Sequence, residues 1–228
     1  MKVGLVVLEN TTPEKDAVFA AISTAEEDTP QDKQVALQGA SFVRISQTKQ
    51  LRSPEARILV KDLMHGTSLG DFVTMHEGSS RGDLERYDRC FWELSRVDQA
   101  NWSPLLNSPM SCTEFAGRET LIFWQNGKGS LSESGGACIR GMQAWNREGV
   151  FVARTSNLKC TLSSGEIHAQ NGAVLIPNVP ANLPAVWAFC SSEAFCLSVR
   201  EFDQKIIVAS GALLAAPFDL THWQKVAA

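Results

Sequence analysis

Gly66-Thr67-Ser68-Leu69-Gly70 matches the Gly-x-Ser-x-Gly turn on which hydrolases present a nucleophilic serine. Asp203 and His222 follow in the order an acid and a base would take. The match is short, and no oxyanion-hole stretch goes with it, so a hydrolase using Ser68 stands as a distant alternative. Arg81-Gly82-Asp83 spells an adhesion tripeptide, and Asn10-Thr11-Thr12 and Asn101-Trp102-Ser103 spell glycosylation sequons; none has meaning in a cytoplasmic chain. Gly127-Lys128-Gly129 lacks the third glycine of a dinucleotide fingerprint, with Ser132 in its place, and no Walker loop occurs. No Cys-x-x-Cys pair is present, and His65, His76, His168 and His222 stand at no ligand spacing, so no zinc site is expected.

The other chemistry on offer is electrostatic. From Gly117 to Cys160 the chain carries six basic residues (Arg118, Lys128, Arg140, Arg147, Arg154, Lys159) against three acidic ones (Glu119, Glu133, Glu148). Residues 1–116 hold 12 basic and 17 acidic, and residues 161–228 hold 3 and 5, so this stretch alone is net positive. It is also rich in glycine and tryptophan, which suits a polyanion: glycine lets backbone N–H groups approach phosphate, and arginine supplies a planar fork. A solvated surface hairpin is the plainer reading of the same residues.

A net charge of −4 over 228 residues argues against a sequence-blind nucleic-acid binder but leaves room for a local patch. With 44% hydrophobic residues and six tryptophans, the chain can fill a core. Lys2 with Val3–Leu8 is too short for a secretion signal and is closed by Glu9-Asn10; no run approaches the roughly 18 apolar residues of a membrane span. A soluble, cytoplasmic chain with no membrane contact is expected. In that setting Cys90, Cys112, Cys138, Cys160, Cys190 and Cys196 are free thiols.

The elements that must position these residues read as follows. Val3–Leu8 is apolar on both faces, like a strand buried inside a sheet, yet has no partner of its quality nearby. Thr29-Pro30 starts a short helix that ends before Gly39. Ser41–Ser46 and Arg57–Val60 read as strands. Met75–Arg89 is a polar Gly/Ser-rich stretch that reads as a domain boundary or a functional loop, with Cys90-Phe91-Trp92 anchoring it to a core. Leu121–Trp124 leads into Asn126-Gly127, a strong signal for a tight hairpin. Strands follow at Val150–Ala153, Leu158–Leu162 and Ala173–Ile176, then helices at Leu183–Cys190 and Glu193–Phe202 separated by the cap pair Ser191-Ser192. Phe195, Val199 and Phe202 share a core-facing stripe, and Trp124 and Trp145 are expected to pack rather than stack on bases.

Taken together, several blocks resemble the C-terminal part of adenine-specific DNA methyltransferases of type IIG restriction–modification and of the BREX and DISARM phage-defence systems. They are Gly78-Ser79-Ser80-Arg81-Gly82-Asp83 with Arg89-Cys90-Phe91-Trp92-Glu93, and Gly117-Arg118-Glu119 through Trp124-Gln125-Asn126-Gly127-Lys128-Gly129. Ile139-Arg140-Gly141 with Ala144-Trp145, Ala173–Pro177, Leu183–Ser192 and Pro217–Trp223 complete the set, in order across nearly the whole chain. Two departures stand out: Gly82-Asp83-Leu84 where the family commonly has Gly-Asp-Asn, and Ser163-Ser164 near Leu162 where it has a tyrosine.

The resemblance implies an α+β fold with a mixed, short-stranded sheet and a helical pair, Val3–Leu8 being the remnant last strand of a Rossmann-like methylase domain. It implies a methylase remnant and connector over 1–75 and a DNA target-recognition domain over 76–228. The chain has neither the Gly-rich S-adenosylmethionine loop nor the Asn-Pro-Pro-Tyr motif, so cofactor and catalysis would belong to a separate or missing domain, and no activity is expected from this chain alone. Arg81, Asp83, Arg86 and Arg89 on the Gly/Ser loop, and Lys128, Arg140 and Arg147 on the hairpin and the loop after it, are the implied contacts to double-stranded DNA. Further partners are a methylase subunit and a second copy of the chain, paired through the N-terminal strand or replaced there by Phe42–Ile45. The alternative is a protein-interaction or decayed remnant that binds no DNA.

Overall fold

Helix α1 (Pro30–Gly39) begins where its residue types require: the Thr29 hydroxyl accepts from the Asp32 amide at 3.1 Å, and Pro30 occupies the first turn, where its missing N–H costs nothing. The computed structural model describes residues 6–7, 9–12, 14–24, 27–50, 53, 58–60, 66–155 and 157–228. The chain divides into two compact units, 1–65 and 66–228. In the first, β1 (Val18–Ala21) pairs antiparallel with β2 (Val43–Ser46), Val18 opposite Ser46, and α2 (Gln47–Gln50) follows β2 directly.

Val3–Leu8, expected to pair with Phe42–Ile45, lies mostly outside the described residues; among those described, β2 pairs with β1. One expectation for this unit needs correction. Ile58–Val60 forms no strand; Leu59 is buried singly, its amide bonded to the Gln50 side chain at 2.6 Å. Arg57 lies outside the described residues.

The second unit runs β3 (Val73–Glu77), α3 (Leu84–Tyr87), β4 (Asp88–Cys90), β5 (Trp102–Leu106), β6 (Thr120–Phe123), β7 (Gly149–Ala153), β8 (Cys160–Ser163), β9 (Ile167–His168) and β10 (Gly172–Pro177). Then come α4 (Leu183–Cys190), α5 (Glu193–Phe202), α6 (Ser210–Leu214) and α7 (Leu220–Ala227). The fold is α+β. An antiparallel sheet has the order β3-β10-β7-β8, and a mixed sheet the order β4-β6-β5-β9, with β5 and β9 parallel. An expected domain division at 75/76 would cut through β3, which belongs to this unit.

β7 and β10 are buried along their whole length, as strands covered on both faces must be. On one face Phe151, Val174 and Ile176 meet Leu106 and Ala144. A second core gathers Tyr87, Leu105, Ile122, Leu131, Ile167 and Ala169, and Trp124 and Trp145 pack on it, edge to face, with centroids 5.4 Å apart. Helices α4 and α5 fall where the periodicity placed them: the Ser192 hydroxyl caps α5 through the Phe195 amide, and Phe195, Val199 and Phe202 are buried.

The hairpin does not form. Gln125, Asn126 and Gly127 take φ of 51°, 53° and 76°, so the left-handed turn is present, but β6 pairs only with β4 and β5. The residues after the turn, Lys128–Ala137, alternate in no apolar pattern and cannot supply the returning strand.

Candidate nucleic-acid interface

The two segments singled out in sequence, 78–89 and 125–147, are joined edge to edge. Ser80 and Cys138 exchange both backbone hydrogen bonds at 2.9 Å. One residue away, the Ser79 hydroxyl donates to the Arg140 carbonyl and accepts from the Arg140 amide, each at 3.0 Å. Ser79 is fully buried, its amide donating to the His168 carbonyl and its carbonyl accepting from the Gln170 amide. The Tyr87 hydroxyl reaches the Ser130 carbonyl at 3.2 Å, setting α3 against the turn that carries Lys128.

Arg81 is placed inside rather than on the surface. It is 4% exposed, its Nε and Nη2 grip the two Asp88 carboxylate oxygens at 3.2 and 2.6 Å, and its Nη1 donates to the Ser79 carbonyl at 3.1 Å. A guanidinium so committed cannot also meet DNA, which corrects its expected role. Asp83 caps α3 by accepting from the Arg86 amide at 3.1 Å. Arg86 is exposed, its guanidinium 5.1 Å from the Tyr87 ring centre; Arg89 is half-buried and donates to the carbonyls of Glu85 and Asp88. Lys128 and Arg147 are exposed and make no ion pair with the described residues.

Arg140 is exposed but shared. Its Nη1 lies 3.3 Å from Glu77, whose carboxylate also receives Arg154 at 2.7 Å and the Ser210 hydroxyl. This four-residue knot spans positions 77 to 210, and no local pattern in the sequence signals it. The Ser210 hydroxyl, and then the charges of Arg154 and Arg140, hold the Glu77 carboxyl below its ordinary value, against a desolvation that acts the other way. A depressed carboxyl pKa contributes stability that is complete above the ordinary value of 4.5 and is lost as pH falls through the folded value. Melting temperature below pH 5 should therefore fall more steeply in the native protein than in Glu77→Gln; parallel acid profiles would contradict the assignment.

Arg118 is tied down as well, by Glu166 at 2.8 Å and by the Ala116 and Leu162 carbonyls, with its guanidinium 4.2 Å over Phe115. Three of the six basic residues in 117–160 are thus neutralised by Glu77 and Glu166, both outside that stretch. The positive surplus counted along the sequence overstates the patch in space. Beside it, burial and then the Arg147 charge lower the pKa of His76, while buried His168 donates Nε2–H to the His76 carbonyl at 3.0 Å.

The chain matches no family model and no curated protein. Among the described residues, no group of histidine, cysteine and carboxylate side chains is placed to hold a metal, and no helix is long and apolar enough to cross a membrane.

The hydrolase elements are not assembled. Ser68 has extended backbone (φ −108°, ψ 164°) rather than a strained elbow, and its hydroxyl bonds Asp71 at 3.1 Å. The Asp203 carboxylate accepts from the Lys205 and Ala209 amides, and Asp219 caps α7 through the His222 amide. Phe91 and Trp92, expected to anchor the loop, instead stay 53% and 62% exposed while packing edge to face at 4.9 Å. They sit on a 3₁₀ turn whose geometry the Glu93 carboxylate fixes by accepting from the Cys90 amide, and the next residue, Leu94, returns the chain to extended form.

Proposed function

We propose that the second unit, residues 66–228, recognises a DNA target for an adenine-specific, S-adenosylmethionine-dependent DNA methyltransferase of a restriction–modification or phage-defence system. The methyl transfer and its cofactor would belong to a separate catalytic unit. On this reading Val3–Leu8 descends from the last strand of a Rossmann-like methylase domain, and the chain works in the cytoplasm. The observation that carries the reading is the joining of 78–89 to 125–147 through Ser79, Ser80, Cys138 and Arg140, with Arg86, Lys128, Arg140 and Arg147 exposed on the joined segments.

The test is fluorescence anisotropy of the full chain with a random-sequence duplex pool at low and moderate salt. Each phosphate neutralised contributes about −0.9 to the slope of log affinity against log salt, so three or four available cations give a slope of roughly −3 to −4. Lys128→Ala should flatten the slope by about one unit, across all sequences alike. Arg140 can reach a base edge only by loosening its contact with Glu77; its replacement by Ala should cost about 1–3 kcal/mol on the preferred site alone. Ser68→Ala should change neither. Absence of binding at the lower salt would sink the reading for this chain.

A protein-interaction module is the second reading, favoured by the exposed Phe91–Trp92 pair, because tryptophan anchors partner surfaces out of proportion to its abundance. Loss of a partner with Trp92→Ala, together with no DNA binding by the native chain, is the result that would select it.

A further inference from the structure

A cavity of about 220 Å³ opens between the approach to β7 and the connection from β10 to α4. Its apolar walls are Ile176 and Pro177, buried at the end of β10, with Pro180 and Leu183 from the start of the following 3₁₀ turn and of α4. Its polar side is Arg147 and Glu148, both exposed. The backbone on either side is fixed. The Arg147 amide donates to the Ala144 carbonyl at 3.2 Å and the Asn146 amide to the Gly165 carbonyl at 2.9 Å. Opposite them, the Asn178 amide donates to the Phe72 carbonyl at 2.8 Å and the Asn182 amide to the Val179 carbonyl at 2.9 Å.

The two polar residues set the chemistry of an occupant. A guanidinium offers donors only and a carboxylate acceptors only. Although adjacent in sequence, Arg147 and Glu148 make no ion pair with each other, so their charged ends do not converge. A free amino acid, with carboxylate and ammonium on one carbon, needs ends that do converge. Guanine instead carries its acceptors O6 and N7 on one edge, the pair that arginine grips, and its donors N1–H and N2–H₂ on the next. Adenine puts a donor, N6–H₂, beside N7, where arginine needs a second acceptor. The volume falls below the roughly 300–1,000 Å³ of drug-sized sites, so one ring system fills it and a sugar and phosphate stay outside.

We propose that this cavity binds a guanine base, with Arg147 on its acceptor edge, Glu148 on its donor edge and Ile176, Pro177, Pro180 and Leu183 against its faces. The assignment goes beyond duplex recognition and does not depend on it. The base belongs either to a free nucleotide or to an unpaired position of a strand.

Isothermal titration calorimetry of the full chain with GMP, IMP, AMP and leucine tests it. GMP should bind, and IMP, which lacks the 2-amino group, should bind about tenfold more weakly for the loss of one hydrogen bond to a charged acceptor. AMP and leucine should give no measurable heat. Glu148→Gln should erase the difference between GMP and IMP, and Arg147→Ala should weaken GMP by about tenfold. Both residues are exposed, so both variants should keep the native melting temperature. Tighter binding of an oligothymidylate with one central guanine than of GMP assigns the base to a strand; binding of GMP alone assigns it to a free nucleotide. Equal binding of GMP, IMP and AMP, binding of leucine instead, no binding of GMP, or GMP binding indifferent to Glu148→Gln would overturn the proposal. Duplex binding without GMP binding would sink this site and leave the DNA reading in place; GMP binding without duplex binding would do the reverse.

Discussion

Arg81→Ala should lower stability by about 3–5 kcal/mol, the loss expected when one partner of a buried ion pair is removed. The replaced side chain would leave the Asp88 carboxylate, whose side chain is 14% exposed, without its fork, and the Ser79 carbonyl without one donor. Domains of this kind hold only about 5–15 kcal/mol in all, so the variant would stand near unfolding at ambient temperature. Arg81→Lys should recover little, because an ammonium cannot grip both carboxylate oxygens. Replacing Arg81 and Asp88 together by apolar residues of similar size should cost less than either change alone. Urea unfolding with an unchanged m-value is the measurement. A loss under about 1 kcal/mol, accompanied by weakened DNA binding, would return Arg81 to the surface role its sequence context suggested.

The second large effect is expected at Gly141, which follows Arg140 and has φ of 72°. A Cβ there would stand 2.6 Å from the Glu77 carbonyl oxygen and 2.6 Å from His168 Cε1, both closer than atoms can lie. The left-handed backbone costs an alanine about 1–2 kcal/mol. The crowding adds about 1–3 kcal/mol, since the carbonyl belongs to β3 and the ring is held by its own hydrogen bond. Gly141→Ala should therefore lose about 2–5 kcal/mol. Gly135→Ala is the control: no atom lies within 4 Å of the added carbon, and its backbone is not left-handed, so its melting temperature should barely move. Equal melting temperatures for the two variants would show that the approach of 141 to β3 and His168 is not fixed as described.

Helices α1, α4 and α5 were legible because a cap and a periodic stripe are local: Thr29 with Pro30, and Ser192 with Phe195, Val199 and Phe202, lie within one or two turns of each other. The strands β7 and β10 were legible because continuous burial leaves a continuous apolar run. What failed depended on distant partners. Asn126-Gly127 dictates a turn, but a hairpin also needs a returning strand that 128–137 cannot provide. β5 contains Pro104, which reads as a strand breaker. It is tolerated because the parallel ladder to β9 starts only at Leu105, leaving that edge of Pro104 unpaired. The loops of the candidate site were found, yet Arg81 was read as a contact because nothing nearby in sequence reveals that Asp88, seven residues on, folds back to hold it.

The pairing of Arg140 and Arg154 with Glu77, and of Arg118 with Glu166, sets the terms on which this protein could be recombined. A chimera exchanging only residues 117–160 for those of another sequence would strand two carboxylates in the host and import cations evolved against other acids. The exchangeable cassette is consequently discontinuous: positions 77 and 166 have to travel with the stretch between them.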